Sequence, residues 1–253
     1  MTPSGMTTME LRKINRRNIY TFIYEQKESS KQHIVDSLHL SLSTVSQNLK
    51  LLEAEGLIRY PGYYQSTGGR KARRIEIVPD AAAALGVGIL KDKVHLAVID
   101  LYGTVQQRRT EALPFEMSGT YCRELEDLIL SFFQEFLSSH AQTQPAGIGI
   151  AIQGVISADG TQVSYGRILN NTGLQLKDIA SRLPCKSLLF HDSKAAAEAE
   201  LWNLPRLRDA VVFLLNDNLG GALILDRRIH SGQHMYGGLL EHISLSADGA
   251  LWY

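Results

Sequence analysis

The chain has 253 residues, with 26 Lys+Arg against 26 Asp+Glu, 44% apolar and 21% charged. Such a composition excludes global disorder, and no apolar run reaches the ~18 residues of a membrane span or resembles a signal segment, so a cytoplasmic protein of one or two domains is expected. Two cysteines, Cys122 and Cys185, make neither a disulfide framework nor a closed cysteine-rich zinc site, so no metal or other cofactor is expected.

The zero net charge conceals an asymmetry. Residues 1–78 carry 12 Lys/Arg against 7 Asp/Glu, whereas residues 79–253 carry 14 against 19. A basic head on an acidic body suits a protein in which one module meets phosphate and the other does not. Chance alone could give the same difference, so the pattern inside the head has to decide.

Leu11 to Tyr24 reads as a helix with Ile14, Ile19, Phe22 and Ile23 on its apolar side. A polar loop from Glu25 to Ser29 leads to Ser30, which caps a second helix containing Ile34, Val35 and Leu38. His39-Leu40 makes a tight turn, and Ser41 caps a third helix whose Val45, Leu49 and Leu52 fall at i, i+4 and i+7. That spacing leaves Ser43, Thr44, Gln47 and Asn48 for the exposed face, short polar side chains of the kind a recognition helix carries to base edges. An ordinary solvated helix face has the same residues, and the continuation separates the two readings. After the C-cap glycine Gly56, strands Leu57–Tyr60 and Arg73–Val78 flank Ser66-Thr67-Gly68-Gly69-Arg70-Lys71. Glycines at that tip let backbone approach a partner, and Arg70 and Lys71 suit phosphate or a narrow minor groove. Arg16, Arg17 and Lys50 are further candidates for backbone contacts. Together these elements predict a winged helix-turn-helix that binds double-stranded DNA; a protein-binding winged helix is the alternative.

The body reads as α/β. Ala84–Leu90 and Val94–Asp100 form a hairpin about Lys91-Asp92-Lys93, with Thr104–Ala112 as a third strand. A helix over Tyr121–Phe136 precedes a buried strand, Gly147–Gly154. A helix at Leu176–Leu183, a strand at Ser187–Phe190, an alanine-rich helix at Lys194–Trp202 and strands at Val211–Leu215 and Ala222–Leu225 follow. Strands alternating with helices predict a layered core.

The Leu40–Ile58 helix-turn-helix, the Ser66–Lys71 wing and the run from Pro79-Asp80 to Gly88 resemble transcriptional regulators of the ROK family (repressor, open reading frame, kinase), over nearly the whole chain. The resemblance implies an actin-like, ribonuclease H-like body, as in the family's sugar kinases and its xylose and N-acetylglucosamine repressors. Family kinases carry Asp-x-Gly-Gly-Thr where this chain has Gly88-Ile89-Leu90-Lys91-Asp92-Lys93, and Gly-Thr-Gly-x-Gly-Gly where it has Asn216-Asp217-Asn218-Leu219-Gly220-Gly221. Phosphoryl transfer needs amides and cations around the nucleotide phosphates, so both departures predict no catalysis and no catalytic residues. Gly220-Gly221 by itself reads as a hairpin turn.

For the sugar site, the resemblance implies Asn170 in Asn170-Asn171-Thr172-Gly173, Asp192 in His191-Asp192, and His242 in Gly238-Leu239-Leu240-Glu241-His242, where Leu239 replaces a glutamate. Each has a plainer alternative: Asp192 as a helix N-cap, Asn170 as a turn former, His242 as a structural histidine. Glu241 could stand in for the missing carboxylate. Family repressors place a cysteine-rich zinc segment after the histidine, and Tyr253 precedes any such segment here, so the second lobe reads as incomplete.

The expectation is therefore a winged head over residues 1–80, a first lobe over 81–190 and the start of a second over 191–253. Its function is a DNA-binding repressor of sugar-metabolism genes, responsive to a sugar and acting as a homodimer or higher oligomer. A sugar kinase, and a ligand-independent DNA-binding dimer with a degenerate body, are the alternatives.

Overall fold

The computed structural model describes residues 7–65, 71–215, 219–240, 245–247 and 250–252. Two compact units divide the chain, Met1–Ala81 and Ala82–Tyr253.

In the first unit, α1 (Thr8–Gln26) opens on a capping box: the Glu10 N–H donates to Thr7 Oγ1 and the Thr7 N–H to Glu10 Oε2. Ile19 and Ile23 are fully buried, but Ile14 is 41% exposed. Five residues from Ile19, Ile14 is turned about 140° from the apolar stripe. The segment expected as a polar loop contributes β1 (Glu28–Ser29), which pairs antiparallel with β3 (Arg73–Ile77). Two residues of low strand propensity leave no alternation to read.

Ser30 caps α2 (Lys31–Leu38) by accepting from the His33 N–H, and His39 closes that helix at φ 52°. Ser41 caps α3 (Leu42–Ala54) by accepting from the Thr44 N–H at 3.1 Å, while Val45, Leu49 and Leu52 are buried as expected. Gly56, at φ 71°, ends α3, with the Leu57 N–H donating back to the Leu52 carbonyl. β2 (Ile58–Tyr63) completes an antiparallel sheet of order β1-β3-β2. The tip residues 66–70, Arg70 among them, lie outside the described residues.

In the second unit, β4 (Ala82–Ile89), β5 (Val94–Ile99) and β6 (Val105–Glu111) form an antiparallel meander. β7 (Gln144–Ile152) joins β4 in parallel after the long helix α4 (Gly119–Ser139). A small hairpin, β8 (Val155–Ile156) and β9 (Val163–Tyr165), and a short α5 (Leu176–Ala180) lead to β10 (Ser187–His191), parallel to β7. The sheet order is β10-β7-β4-β5-β6. One face buries Leu85, Val87, Leu96, Ile148, Ile150 and Leu189 in a core shared with Leu125, Ile129, Phe132 and Phe136 of α4.

Next come α6 (Asp192–Asn203) and a second antiparallel sheet of β11 (Ala210–Leu215), β12 (Leu219–Leu225) and β13 (Arg228–Ile229). Ala197 and Leu201 of α6 pack on Ala222 and Ile224. A last hairpin pairs β14 (Leu245–Ala247) with β15 (Ala250–Trp252). No helix among the described residues is long and apolar enough to cross a membrane.

Candidate functional site

The 3.6-residue period sorts α3 into two faces. Val45, Leu49 and Leu52 point into the unit's core; Ser43, Gln47 and Lys50, at i, i+4 and i+7, are exposed together. Asn48 is the correction here. Three residues after Val45 and four before Leu52, it falls on the buried stripe, is 6% exposed, and its Nδ2 donates to the Thr44 carbonyl at 2.8 Å. Its polarity suggested an exposed face that its position denies. Thr44 is half-buried, and its hydroxyl, like that of Ser43, lies 2.8 Å from Ser41 Oγ. The N-terminal turn of α3 is thus held by a hydroxyl cluster centred on its cap, which fixes the row that would face base edges. Sequence reading missed Leu42 and Leu51, which are 55% and 52% exposed on the same helix. An exposed leucine at the head of a recognition helix suits a thymine methyl.

The wing is arranged by charge. Lys71 and Arg73 are exposed at the start of its return strand. Arg73 stacks over the Tyr60 ring, 3.8 Å from the centroid. Burial and the Glu53 carboxylate push the Tyr60 phenol above its ordinary value, with Arg73 pulling the other way, so the ring is neutral at physiological pH. Of the earlier backbone candidates, Arg16 is ion-paired with Glu55, while Arg17 and Lys50 are exposed.

In the second unit, polar residues gather at the C-terminal ends of the parallel strands β7 and β10, where open α/β sheets hold ligands. Asp192 is not the N-cap of α6; His191 holds that position and Asp192 opens the first turn. The Asp192 carboxylate accepts from the Ser193 N–H at 2.6 Å, lies 3.2 Å from His191 Nδ1 and is partly exposed. Ser193 Oγ donates to the Gly221 carbonyl at 2.7 Å, tying the first turn of α6 to β12. Asn170 is exposed in the left-handed region at φ 52°, a conformation asparagine tolerates in turns. Its neighbour Asn171, overlooked in the sequence, is fully buried: Nδ2 donates to the Gln153 carbonyl beyond β7, and Oδ1 has no partner among the described residues. Gly166 is required there, because a Cβ at that position would lie 1.7 Å from Asn171 Oδ1. His242 and Glu241 lie outside the described residues. Beside β10, a cavity of about 250 Å³ is lined by Asp159, Phe190, His191, Lys194, Glu198 and Met235.

The kinase positions take other shapes. Leu90 and Lys93 close a tight hairpin through a 3.0 Å hydrogen bond, and the Lys91 carbonyl accepts from the Phe115 N–H. Gly220 and Gly221 belong to β12 rather than to the expected turn. A Cβ at Gly221 would meet Leu240 at 2.2 Å, so that glycine makes room for a side chain. Residues 216–218, with Asp217, lie outside the described residues.

The ROK family's sequence profile matches residues 84–251, and a winged helix-turn-helix DNA-binding profile matches residues 12–59. The chain belongs to the ROK family. It is 23% identical over 243 residues to a xylose repressor of Caldicellulosiruptor bescii, covering 93% of this chain and 60% of that protein. It is also 23% identical over 259 residues to the DNA-binding transcriptional dual regulator NagC of Escherichia coli, covering 98% of this chain and 63% of the regulator. The chain thus spans about 60% of the length of these curated relatives. Among solved structures, a ROK family transcriptional regulator described as a homologue of the E. coli MLC protein superposes with a TM-score of 0.70, at 19% identity, covering 95% of this chain and 61% of that one. This ROK chain therefore has the fold its sequence implied, a winged helix-turn-helix joined to an actin-like α/β body.

Proposed function

We propose that this ROK chain is a DNA-binding transcriptional regulator, a repressor of sugar-metabolism genes working in the cytoplasm as a homodimer or higher homo-oligomer on a two-fold operator. The observation that carries the proposal is the exposed Ser43–Gln47–Lys50 row of a capped α3 set beside a basic wing. Ser43, Thr44 and Gln47 read base edges, and Arg70 and Lys71 contact the backbone or the minor groove. Residues 1–80 form the reading head, 81–190 a first lobe and 191–253 the start of a second.

The names of the xylose repressor and NagC relatives support a sugar or sugar derivative as effector. Asn170, Asp192 and His242 are its proposed contacts, since sugar hydroxyls need fixed amides, carboxylates and imidazoles. A ligand favouring one arrangement of the body changes the spacing of two heads and so their joint affinity for the operator. The protein is proposed to be non-catalytic, because the closed Lys91-Asp92 hairpin offers a triphosphate no glycine cradle.

The test begins by selecting bound fragments from genomic DNA to obtain the operator. Gln47→Ala then weakens the operator by about 1–3 kcal/mol and leaves random duplex unchanged. Lys71→Ala weakens both, and lowers the slope of log affinity against log salt by about one. Equal losses on both duplexes for Gln47→Ala remove its base-reading role. Sugar-dependent ATP consumption, abolished in Asp192→Ala, would restore the kinase reading.

A further inference from the structure

Several basic side chains of the head are already paired. Arg59 Nε lies 2.6 Å from Glu76 Oε1, Arg74 Nη1 lies 3.4 Å from Glu28 Oε2, and Arg16 is paired with Glu55. Each of these charges already has a carboxylate beside it, so a phosphate would exchange one anion for another at little gain. Lys31, Lys71 and Arg73 are placed differently. All three are exposed and, with Gln32, Tyr60 and Tyr63, they line one groove between the start of α2 and the wing. Its volume is about 480 Å³, in the range of ligand-sized clefts. Among the described residues, no acidic side chain lines it.

Resting on the DNA-binding reading above, we propose that this groove seats the phosphodiester chain of one DNA strand, with Lys31, Lys71 and Arg73 as its cations and Tyr60 positioning Arg73. Cations from two separate elements converge on one concavity, which a lone surface charge does not achieve. The Tyr60 ring holds one face of the Arg73 guanidinium, and stacking leaves the N–H edges for a phosphate oxygen. Leu42, the first residue of α3, lines the same groove, so a strand lying in it runs past the entrance of the helix whose Ser43 and Gln47 face the bases. The groove thereby sets the register of the reading row as well as adding affinity.

Fluorescence anisotropy of the full chain with labelled operator and random duplexes, from about 50 to 200 mM salt, tests this. Lys31→Gln and Arg73→Gln are each expected to lower the slope of log affinity against log salt by about one, on both duplexes. Tyr60→Leu is expected to match Arg73→Gln, and Tyr60→Phe to restore the wild-type slope. Arg59→Gln and Arg74→Gln keep the wild-type slope. A variant that only unfolds loses active protein without changing the slope of the remainder, so instability does not imitate the expected result. Wild-type binding with unchanged slopes for Lys31→Gln and Arg73→Gln overturns the groove alone, as do equal slope losses for Arg59→Gln and Arg74→Gln. A wild-type chain that binds no duplex overturns the groove and the DNA-binding reading together.

Discussion

The head and the body cover their sheets in different ways. In the head, α1 packs on α3 and β3, and the three-strand sheet turns Ile58, Ile75 and Ile77 inward, while Arg59 faces outward and Arg73 and Tyr63 are exposed where the wing strands run past the core. In the body, α6 backs β11 and β12 on one face; Val211, Phe213 and Leu215, which alternate with the half-buried residues of β11, are 54%, 60% and 81% exposed. The exposed face of α3 carries the polar row Ser43, Gln47 and Lys50, whereas the exposed face of β11 carries the apolar row Val211, Phe213 and Leu215. Stability of the body and recognition by the head accordingly reside in different side chains, and substitutions can separate them.

The largest expected effect is in the body. Phe132 is fully buried against the five-stranded sheet, and Phe132→Ala is expected to cost about 3–5 kcal/mol. Calorimetry would show a lowered body transition while the operator affinity of the folded protein is retained at low temperature. A matching loss of affinity at a temperature where the body stays folded would break the separation.

A smaller effect comes from Glu126, 3% exposed on α4, which accepts from the Ser181 hydroxyl and the Arg182 backbone N–H and is ion-paired with the Arg182 guanidinium. Burial pulls its carboxyl upward, but the Arg182 and Ser181 donors outweigh that and hold it below the usual carboxylate range. A depressed native value contributes stability above the unfolded value, near 4.3, that is lost as pH falls through the native one. Glu126→Gln is expected to cost about 2 kcal/mol at neutral pH, with the half-exposed Arg182 limiting the loss, and to flatten the acid limb of a denaturation curve. An unchanged acid limb would show that the ion pair contributes nothing.

The smallest effect, Ser41→Ala, removes the cap of α3 for about 1 kcal/mol, read as a lowered head transition. Because Ser43 and Thr44 bond to the same hydroxyl, operator discrimination should fall as well. Preserved discrimination would show that the row of α3 is fixed by other contacts.

The same contrast explains what the sequence could reveal. The caps at Ser30 and Ser41, the αL turn at His39 and the Val45, Leu49, Leu52 stripe are local, so the head could be read within a few residues. Asn48 was misplaced because residue type was weighed above helical phase. β1 was missed because its partner β3 lies more than forty residues away and its own two residues carry no pattern. In the body, the strands and helices were legible as runs, but Asn171 gained its role from a carbonyl eighteen residues away. Gly221 is a glycine because Leu240, nineteen positions on, fills the space a side chain would need. Contacts of that kind have no spacing signature.

Equilibrium binding of the wild-type chain to operator and random duplexes, run beside a sugar-dependent ATP turnover assay, tests the central claim most directly. Binding that favours the operator and weakens steeply with salt, with no turnover, is the predicted result. Indifference to every duplex at low ionic strength, accompanied by phosphorylation of a carbohydrate, would contradict it.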